Sequence, residues 1–359
     1  MKILFIVPYP SEGASNRFRV EQYLPYLRQA GVRYLLRPFL NAAFYRILFK
    51  KGGYLKKLIL FIFLSMRRLY DVVRCINYDI VFIHRQAYPL GSFFERLFKV
   101  FGKKMIYDFD DALFLPNTSD SNKFIGALKG CAKIRKLIQM SDYVIAGNNF
   151  LSGYALKFNK NTAVISTPID SDRYIPAEKG MVKDEVIIGW MGSATTVKYL
   201  DILAGVFPQL FKKYPRARLI IVGGHWRRLT LPQIASRDWA LRDEIADLQS
   251  FDIGIMPLCD DDWARGKCAF KAIEYMSVGI PVVASDVGMN KEVIRHGVNG
   301  FLANTDQEWI SYLGSLISDG ALRKKMGLAG RGIVEEEYSV KINAPKFMSI
   351  MREVYNSKG

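Results

Sequence analysis

Residues 266–286 read GKCAFKAIEYMSVGIPVVASD, and the reading of this stretch decides the fold. FKAIEYMSVG predicts a short helix and PVVASD an extended, apolar segment of the kind buried in a sheet. On a helix, positions 267, 271 and 274 follow i, i+4, i+7, so Lys267, Lys271 and Glu274 share one face. A helix N-terminus offers free N–H groups and partial positive charge that suit phosphate, and two lysines strengthen that. Glu274, about two turns in, is placed to accept hydrogen bonds from sugar hydroxyls. Taken alone the set has a second reading, a surface ion pair between Lys271 and Glu274.

The same alternation of helix and strand runs outward in both directions. Ile3–Val7 is an unbroken apolar run, as expected of a parallel strand covered on both faces. SNRFRVEQYLPYLRQAG follows, with Val20, Leu24 and Leu27 at i, i+4, i+7 and Gly31 where a helix would stop. Pro25 inside that pattern argues against one straight helix. Ile80–His84, Met105–Phe109 and Tyr143–Ala146 read as further strands. A second series starts near Val186: VIIGWMG extended, VKYLDILAGVFPQLFKKY helical, ARLIIVGG extended, LRDEIADLQSF helical and DIGIMPL extended. The two series meet around Thr167–Lys183, a stretch with Pro168, Pro176 and Gly180 and little periodicity. The fold class is therefore α/β, two Rossmann-like, doubly wound domains. The expected boundaries are 1–170 and 171–340, with 341–359 a last helix packing back toward the N-terminal domain.

Length and composition agree with two domains. The chain has 359 residues, half of them hydrophobic, so a sizeable core is available. Its 51 basic and 34 acidic residues leave a formal charge of +17, which implies an acidic partner: nucleic acid, an anionic membrane surface or a phosphorylated small molecule. Cys75, Cys131, Cys259 and Cys268 are scattered and there are three histidines, His84, His225 and His296, so no structural zinc is expected and free thiols are. The opening MKILFIVPYP lacks the long apolar region and cleavage site of a signal peptide and reads as a first strand.

The segment Phe44–Tyr70 differs from both series. FYRILFKKGGYLKKLILFIFLSMRRLY has seven basic residues and no acidic one, and its apolar run Leu58–Met66 is too short to span a bilayer. Basic residues flanking aromatics and leucines suit a helix lying on an anionic leaflet; the other reading is a core helix with a solvated basic face. Gly52 and Gly53 suggest a break between two helices.

Three further stretches bear chemistry. In IGWMGSATTVKYL a strand ends at Gly192 and Ser193, small residues that let a ligand approach the backbone. Thr195 or Thr196 is a candidate helix cap, and Lys198 falls in the first turn, where a cation opposes the helix dipole unless an anion sits nearby or water solvates it. In LIIVGGHWRR a strand ends in Gly223 and Gly224. This is not the G-x-G-x-x-G of dinucleotide enzymes and no acidic residue stands clearly at the ribose distance, which argues against a nicotinamide dehydrogenase. YDFDDALF sets Asp108, Asp110 and Asp111 at a strand end.

The order of these elements resembles the retaining GT-B glycosyltransferases, the glycosyl transferases group 1, over nearly the whole chain. The likeness is clearest from Gly189 to Leu302, where EYMSVGIPVVASD is followed by GVNGFL. The resemblance implies two domains facing a cleft, with the nucleoside diphosphate of a nucleotide-sugar donor held by the C-terminal one. It implies that Glu274 holds the ribose hydroxyls and that Lys198 meets the donor diphosphate, stabilising charge on the leaving group. Where the family often has an arginine, five positions before that lysine, this chain has Ser193. Where it usually has another glutamate, eight positions before Glu274, this chain has Gly266. Arg265 and Lys267 are then expected to cover the diphosphate, and Asp260, Asp261 or Asp262 either reaches sugar hydroxyls or forms a solvated turn. RDWAL resembles the loop that meets the nucleobase, so Trp239 stacks there or belongs to the core.

On the N-terminal side, GASNRFR stands where the family has its glycine-rich loop near the donor phosphates, which singles out Ser15, Asn16 and Arg17 and leaves Arg19 as an ordinary helix residue. His84 faces the site or is a satisfied core histidine. Asp110 and Asp111 are expected near the acceptor, and the residues expected to carry the chemistry are Lys198, Glu274, His84 and Asp110. The resemblance implies no bound cofactor and no metal, with the nucleotide sugar as co-substrate. The expected function is transfer of a sugar to a hydroxyl of a lipid-linked or surface-polysaccharide intermediate, by a peripheral protein on the cytoplasmic face of the membrane. The rivals are a GT-B transferase acting on nucleic acid, which the Phe44–Tyr70 segment argues against, and a non-catalytic protein that uses the fold to bind membrane or a partner. Gly266 supports the latter, whereas Lys198 and Glu274 oppose it.

Overall fold

The computed structural model describes residues 1–48, 52–115, 123–178 and 185–357, with the backbone alone for 123–131. Phe49, Lys50 and Lys51 of the basic segment, and Gly180 and Lys183 of the boundary stretch, lie outside the described residues. The chain divides into two compact units, residues 1–168 with 343–359, and residues 169–342.

The first unit is built on six parallel strands: β1 (Lys2–Val7), β2 (Arg33–Pro38), β3 (Ile80–His84), β4 (Lys104–Phe109), β5 (Tyr143–Ala146) and β6 (Thr162–Val164). Their order is β2-β1-β3-β4-β5-β6. β1, β3 and β4 are buried almost throughout, because helices cover both faces of the sheet and the apolar runs have no wet side. Pro25 ends one helical segment by starting another. The chain forms a helix over Ala14–Arg19, a 3-10 turn at Glu21–Tyr23, then a helix over Leu24–Gln29 with the proline in its first turn, where its missing N–H is not needed. Gly52 and Gly53, both at positive φ, separate the Ala42–Leu48 helix from a helix of 21 residues, Tyr54–Arg74. The last helix, Val340–Asn356, contributes Phe347, whose ring stacks on Tyr23 at 4.1 Å between centroids.

The second unit repeats the plan with β7 (Val186–Met191), β8 (Ala217–Val222), β9 (Ile234–Arg237), β10 (Ile253–Met256), β11 (Val282–Ser285) and β12 (Gly300–Ala303), in the order β12-β11-β10-β7-β8-β9. Trp190, Leu203, Phe207, Trp309 and Leu313 pack its core. The single helix expected over VKYLDILAGVFPQLFKKY is a 3-10 helix, Val197–Leu203, followed by an α-helix, Val206–Lys213. Helices do cover FKAIEYMS (Phe270–Ser277) and EIADLQS (Glu244–Ser250).

In each sheet the strand order reverses beside the unit's first strand, between β1 and β3 and between β7 and β10. Crossovers leave in opposite directions there, which opens a crevice outside the carboxyl ends of the two strands. These ends carry the candidate residues of both units.

Candidate functional site

In the second unit Gly192 follows the last residue of β7, and nothing larger than hydrogen fits there. A Cβ there would lie 2.4 Å from the Trp190 ring and 3.0 Å from Cε of Lys271. After β8, Gly223 has φ +82°, and a Cβ on it would come within 2.1 Å of the Gly192 carbonyl oxygen. The paired glycines of VGG thus serve a close backbone approach between neighbouring strand ends. Tyr275 fixes the same corner from below. Its hydroxyl accepts the Met191 N–H at 2.9 Å, and its ring occupies the room that Gly254 of β10 leaves. Burial pushes the Tyr275 hydroxyl above its ordinary range, so it remains a protonated anchor.

Three lysines from separate segments of this unit lie over aromatic rings, and Lys271 is the one set against Gly192 itself. Lys198, exposed in the first turn of the 3-10 helix, has its Nζ 5.8 Å from the Tyr199 ring centroid. Lys267 has its Nζ 5.7 Å from the same ring and 5.9 Å from that of Trp263. Lys271 lies over Trp190 at 5.5 Å. The shared helix face expected for Lys267, Lys271 and Glu274 does not form, because Ala269 adopts a left-handed conformation (φ 49°) and the helix starts only at Phe270. Lys267 joins the group from the preceding turn. Glu274 stands on the buried side of the helix, about one turn in.

The neighbouring groups are committed locally. Ser193 Oγ lies 2.9 Å from Thr195 Oγ1, and Ser193 N–H donates to Thr196 Oγ1, so the Thr196 hydroxyl turns back to Ser193 instead of capping the helix ahead. Arg265 pairs with Asp260 at 2.9 Å and Asp262 at 3.3 Å, and Asp261 caps the short helix Asp262–Arg265 by accepting from Ala264 N–H. The acidic trio therefore forms a self-satisfied turn. Trp239, half-buried beside Gly223, donates its Nε1–H to buried Glu244 at 3.1 Å, and Glu244 also accepts from the Tyr174 hydroxyl. The indole edge is pinned by a carboxylate that the sequence pattern does not signal.

The first unit uses charge differently. Parallel register sets His84 of β3 opposite Asp108 of β4, and His84 Nδ1 lies 2.6 Å from Asp108 Oδ2. Arg19, expected to be an ordinary helix residue, is buried and donates to both Asp108 oxygens and to the Ile165 carbonyl. Burial works against the Arg19 charge, but Asp108 outweighs it and holds the guanidinium above its ordinary range. His84 is wholly buried, and its Nε2 has no hydrogen-bond partner among the described residues.

The next residue, Arg85, sits at φ 57°, which is costly for a side chain of this size, and is held by Asp110 (2.6 Å) and Asp111 (2.5 Å). Burial pushes the Asp110 carboxyl up, but the Arg85 guanidinium with His84 and Arg19 prevails and holds it well below the usual carboxylate range. A carboxylate so held is a clamp on Arg85 and a poor proton acceptor near neutrality. In the Ala14–Arg19 helix after β1, Asn16 and Arg17 are buried and Ser15 is half-buried. Asn16 donates to Glu21 at 2.6 Å and Arg17 to the Ser11 carbonyl at 3.1 Å. The donor-side and acceptor-side candidates thus fall into two groups, one in each unit.

Residues 185–319 match the family described as Glycosyl transferases group 1. The chain is 20% identical over 248 residues to spore coat protein SA of Bacillus subtilis (60% of this chain, 64% of the relative). It is 26% identical over 193 residues to the D-inositol 3-phosphate glycosyltransferase of Nocardia farcinica (46% of this chain, 42% of the relative). These matches span less than two thirds of either relative's own length. Among solved structures, a glycosyltransferase from Rickettsia africae is similar with a TM-score of 0.72 and 18% identity, over 99% of both chains. Anabaena HepE in complex with UDP and glucose is similar with a TM-score of 0.74 and 18% identity, over 98% of this chain and 99% of that one. The likeness extends over both six-stranded sheets, so the fold expected from the sequence is the fold found. The chain has the GT-B fold, and the segment that holds β7 to β12 and every donor-side candidate matches the glycosyl transferases group 1 family.

Proposed function

We propose that the protein is a retaining glycosyltransferase. It moves a sugar from a nucleoside-diphosphate donor to a hydroxyl of a lipid-linked or surface-polysaccharide intermediate at the cytoplasmic face of the membrane. The observation that carries this reading is the set of three lysines inside the matched family segment, Lys271 against the Gly192 corner and Lys198 and Lys267 sharing the Tyr199 ring, with Glu274 on the helix of Lys271. Three such cations suit a diphosphate, and they stabilise it most as it departs and gains charge. Glu274 serves the ribose hydroxyls and the Trp239 face the base. The HepE complexes with UDP and UDP-glucose make a uridine nucleotide the first donor to test.

Retention fits a front-face course in which the departing diphosphate takes the acceptor proton. Such a course needs no strong protein base, and this agrees with Asp110 being held ionised by Arg85. The experiment is a thermal-shift screen of UDP-, GDP- and ADP-sugars, because a ligand that binds only the folded chain raises its melting temperature. At saturating donor the expected gain is about 2.7 kcal/mol at one hundred times Kd. Lys198→Ala is expected to remove most of that shift and to lower transfer about a hundredfold or more. Unchanged donor response and unchanged transfer in both Lys198→Ala and Glu274→Ala would sink the reading.

A further inference from the structure

The Tyr54–Arg74 helix packs Leu60, Phe61, Leu64 and Val72 inward and yet carries a second apolar face outward. Of its eleven exposed positions, ten are apolar or aromatic, Lys56 is the remaining one, and none is acidic. Leu55 is 72% exposed, Phe63 60% and Met66 68%. The polar groups point the other way. Arg68 and Asp71 are 1% exposed and pair at 3.1 Å, Arg37 joins Asp71 at 2.5 Å, and Arg67 donates to the Pro38 and Phe39 carbonyls. Two of the basic residues that the sequence offered to a lipid surface are therefore turned inward. The buried ion group fixes the rotation of the helix, since turning the apolar face in would expose these pairs and leave charge unmatched. Beside it the Phe93–Val100 helix exposes Phe93, Arg96 and Val100.

We infer that this face of the first unit is a preformed docking surface for an anionic lipid bilayer, on which the Tyr54–Arg74 helix lies flat and the Phe93–Val100 helix forms a second contact. Four observations favour lipid over other occupants. The apolar strip is as long as the helix, about 31 Å, far beyond a single side-chain anchor. No helix among the described residues is long and apolar enough to cross a membrane, so the strip lies on the bilayer. Tyr54 and Tyr70 stand at its ends, as aromatics do at a headgroup boundary. The charges at its rim, Arg46, Lys56 and Arg96, are all cationic and exposed, on a chain of net charge +17. Because the rotation is fixed in advance, docking requires no folding of the helix. The inference rests on the proposed function only for its use, which is to bring a lipid-linked acceptor to the first unit.

The test is flotation of the full chain with phosphatidylcholine vesicles, with and without phosphatidylglycerol. Binding is expected to the anionic vesicles and to weaken with added salt, with the far-ultraviolet dichroism of free and bound protein unchanged. The double substitution Ile59→Glu and Phe63→Glu should reduce bound protein about tenfold or more while keeping the melting temperature and the donor-induced thermal shift. Lys198→Ala should do the reverse, losing the donor shift and keeping vesicle binding, so failure of one reading is told from failure of the other. Equal binding by the double variant, or none by the native chain, overturns the inference. A native dimer in light scattering that the double variant dissolves would assign the face to a second copy and also overturn it. A rise in helicity on binding would overturn the preformed surface.

Discussion

The carboxyl edges of the two sheets share a topology and handle charge in opposite ways. In the first unit the polar groups are sealed against one another: Arg19 and Asp108 with the His84 imidazole in one group, Arg85, Asp110 and Asp111 in the next. In the second, the ammonium groups of Lys198, Lys267 and Lys271 lie on aromatic rings. A sealed ion group rigidifies a loop and contributes little field outside it. Cations set over ring faces keep their charge, and Lys198 among them is exposed to solvent. On the proposed function, one sheet edge holds its shape and the other holds a charged ligand.

The largest effect that separates the two edges is expected from Asp108→Ala. It leaves the Arg19 guanidinium and the His84 imidazole buried without their shared partner, which costs about 3–5 kcal/mol. Chemical denaturation should show this loss, whereas Lys198→Ala should change stability by about 0.5 kcal/mol or less. If Asp108→Ala were as mild as Lys198→Ala, the first unit's edge would not be the sealed group described above.

The Arg85 clamp gives the comparison a pH axis. Asp110 titrates lower in the folded chain than in the unfolded one, so the unfolded chain takes up its proton first on acidification. The pair's contribution is therefore full above about pH 4, near the unfolded carboxylate value, and is lost as pH falls through the lower folded value. Arg85→Met is expected to cost about 1.5–3 kcal/mol at neutral pH. Its difference from the native chain should shrink below about pH 4. A difference that grows on acidification would contradict the clamp.

At the second unit's corner, sterics and not charge set the next effect. Gly192→Ala drives a methyl into the buried Trp190 ring, an overpacking worth about 1–3 kcal/mol. Gly223→Ala should be worse, since it adds a left-handed alanine to a clash with the Gly192 carbonyl itself. A melting series in which Gly223→Ala is the milder of the two would mean that the strand ends can part.

How much of this was legible in the sequence follows from the kind of signal each feature leaves. Apolar runs and glycine turns are local, so the eight strands with such runs and the Gly192 corner could be read directly, whereas the edge strands β2, β6, β9 and β12, with more polar or exposed positions, could not. The helix at 270–277 could be read too, but its start could not, because alanine at a left-handed position leaves no mark in composition. Arg19 looked like a surface residue because nothing local reveals a partner 89 residues away; only the register of β3 on β4 brings His84 and Asp108 to it. Glu244 was invisible for the same reason, since it sits in a helix whose acidic first turn already explains a carboxylate. The direction of the Tyr54–Arg74 face was also out of reach. Both readings of its sequence need an amphipathic helix, and the half-buried Arg37, upstream in β2, pairs with Asp71 on the side that turns in.

The smallest effect is expected where a cation of the second unit is already balanced. Arg265 is half-exposed and shared between Asp260 and Asp262, so its pairs are surface pairs, worth about 0–1 kcal/mol together with their neighbours. Arg265→Gln should therefore leave the melting temperature nearly unchanged. It should also leave most of the donor-induced shift, in contrast to Lys198→Ala, because a guanidinium matched by two carboxylates presents little net charge to a diphosphate. Should Arg265→Gln abolish the donor response as fully as Lys198→Ala, Arg265 must leave its carboxylates when the donor arrives. The acidic turn would then be a charge store for the site, and the line drawn between ion groups closed on themselves and cations set on rings would run through the second unit instead of between the two.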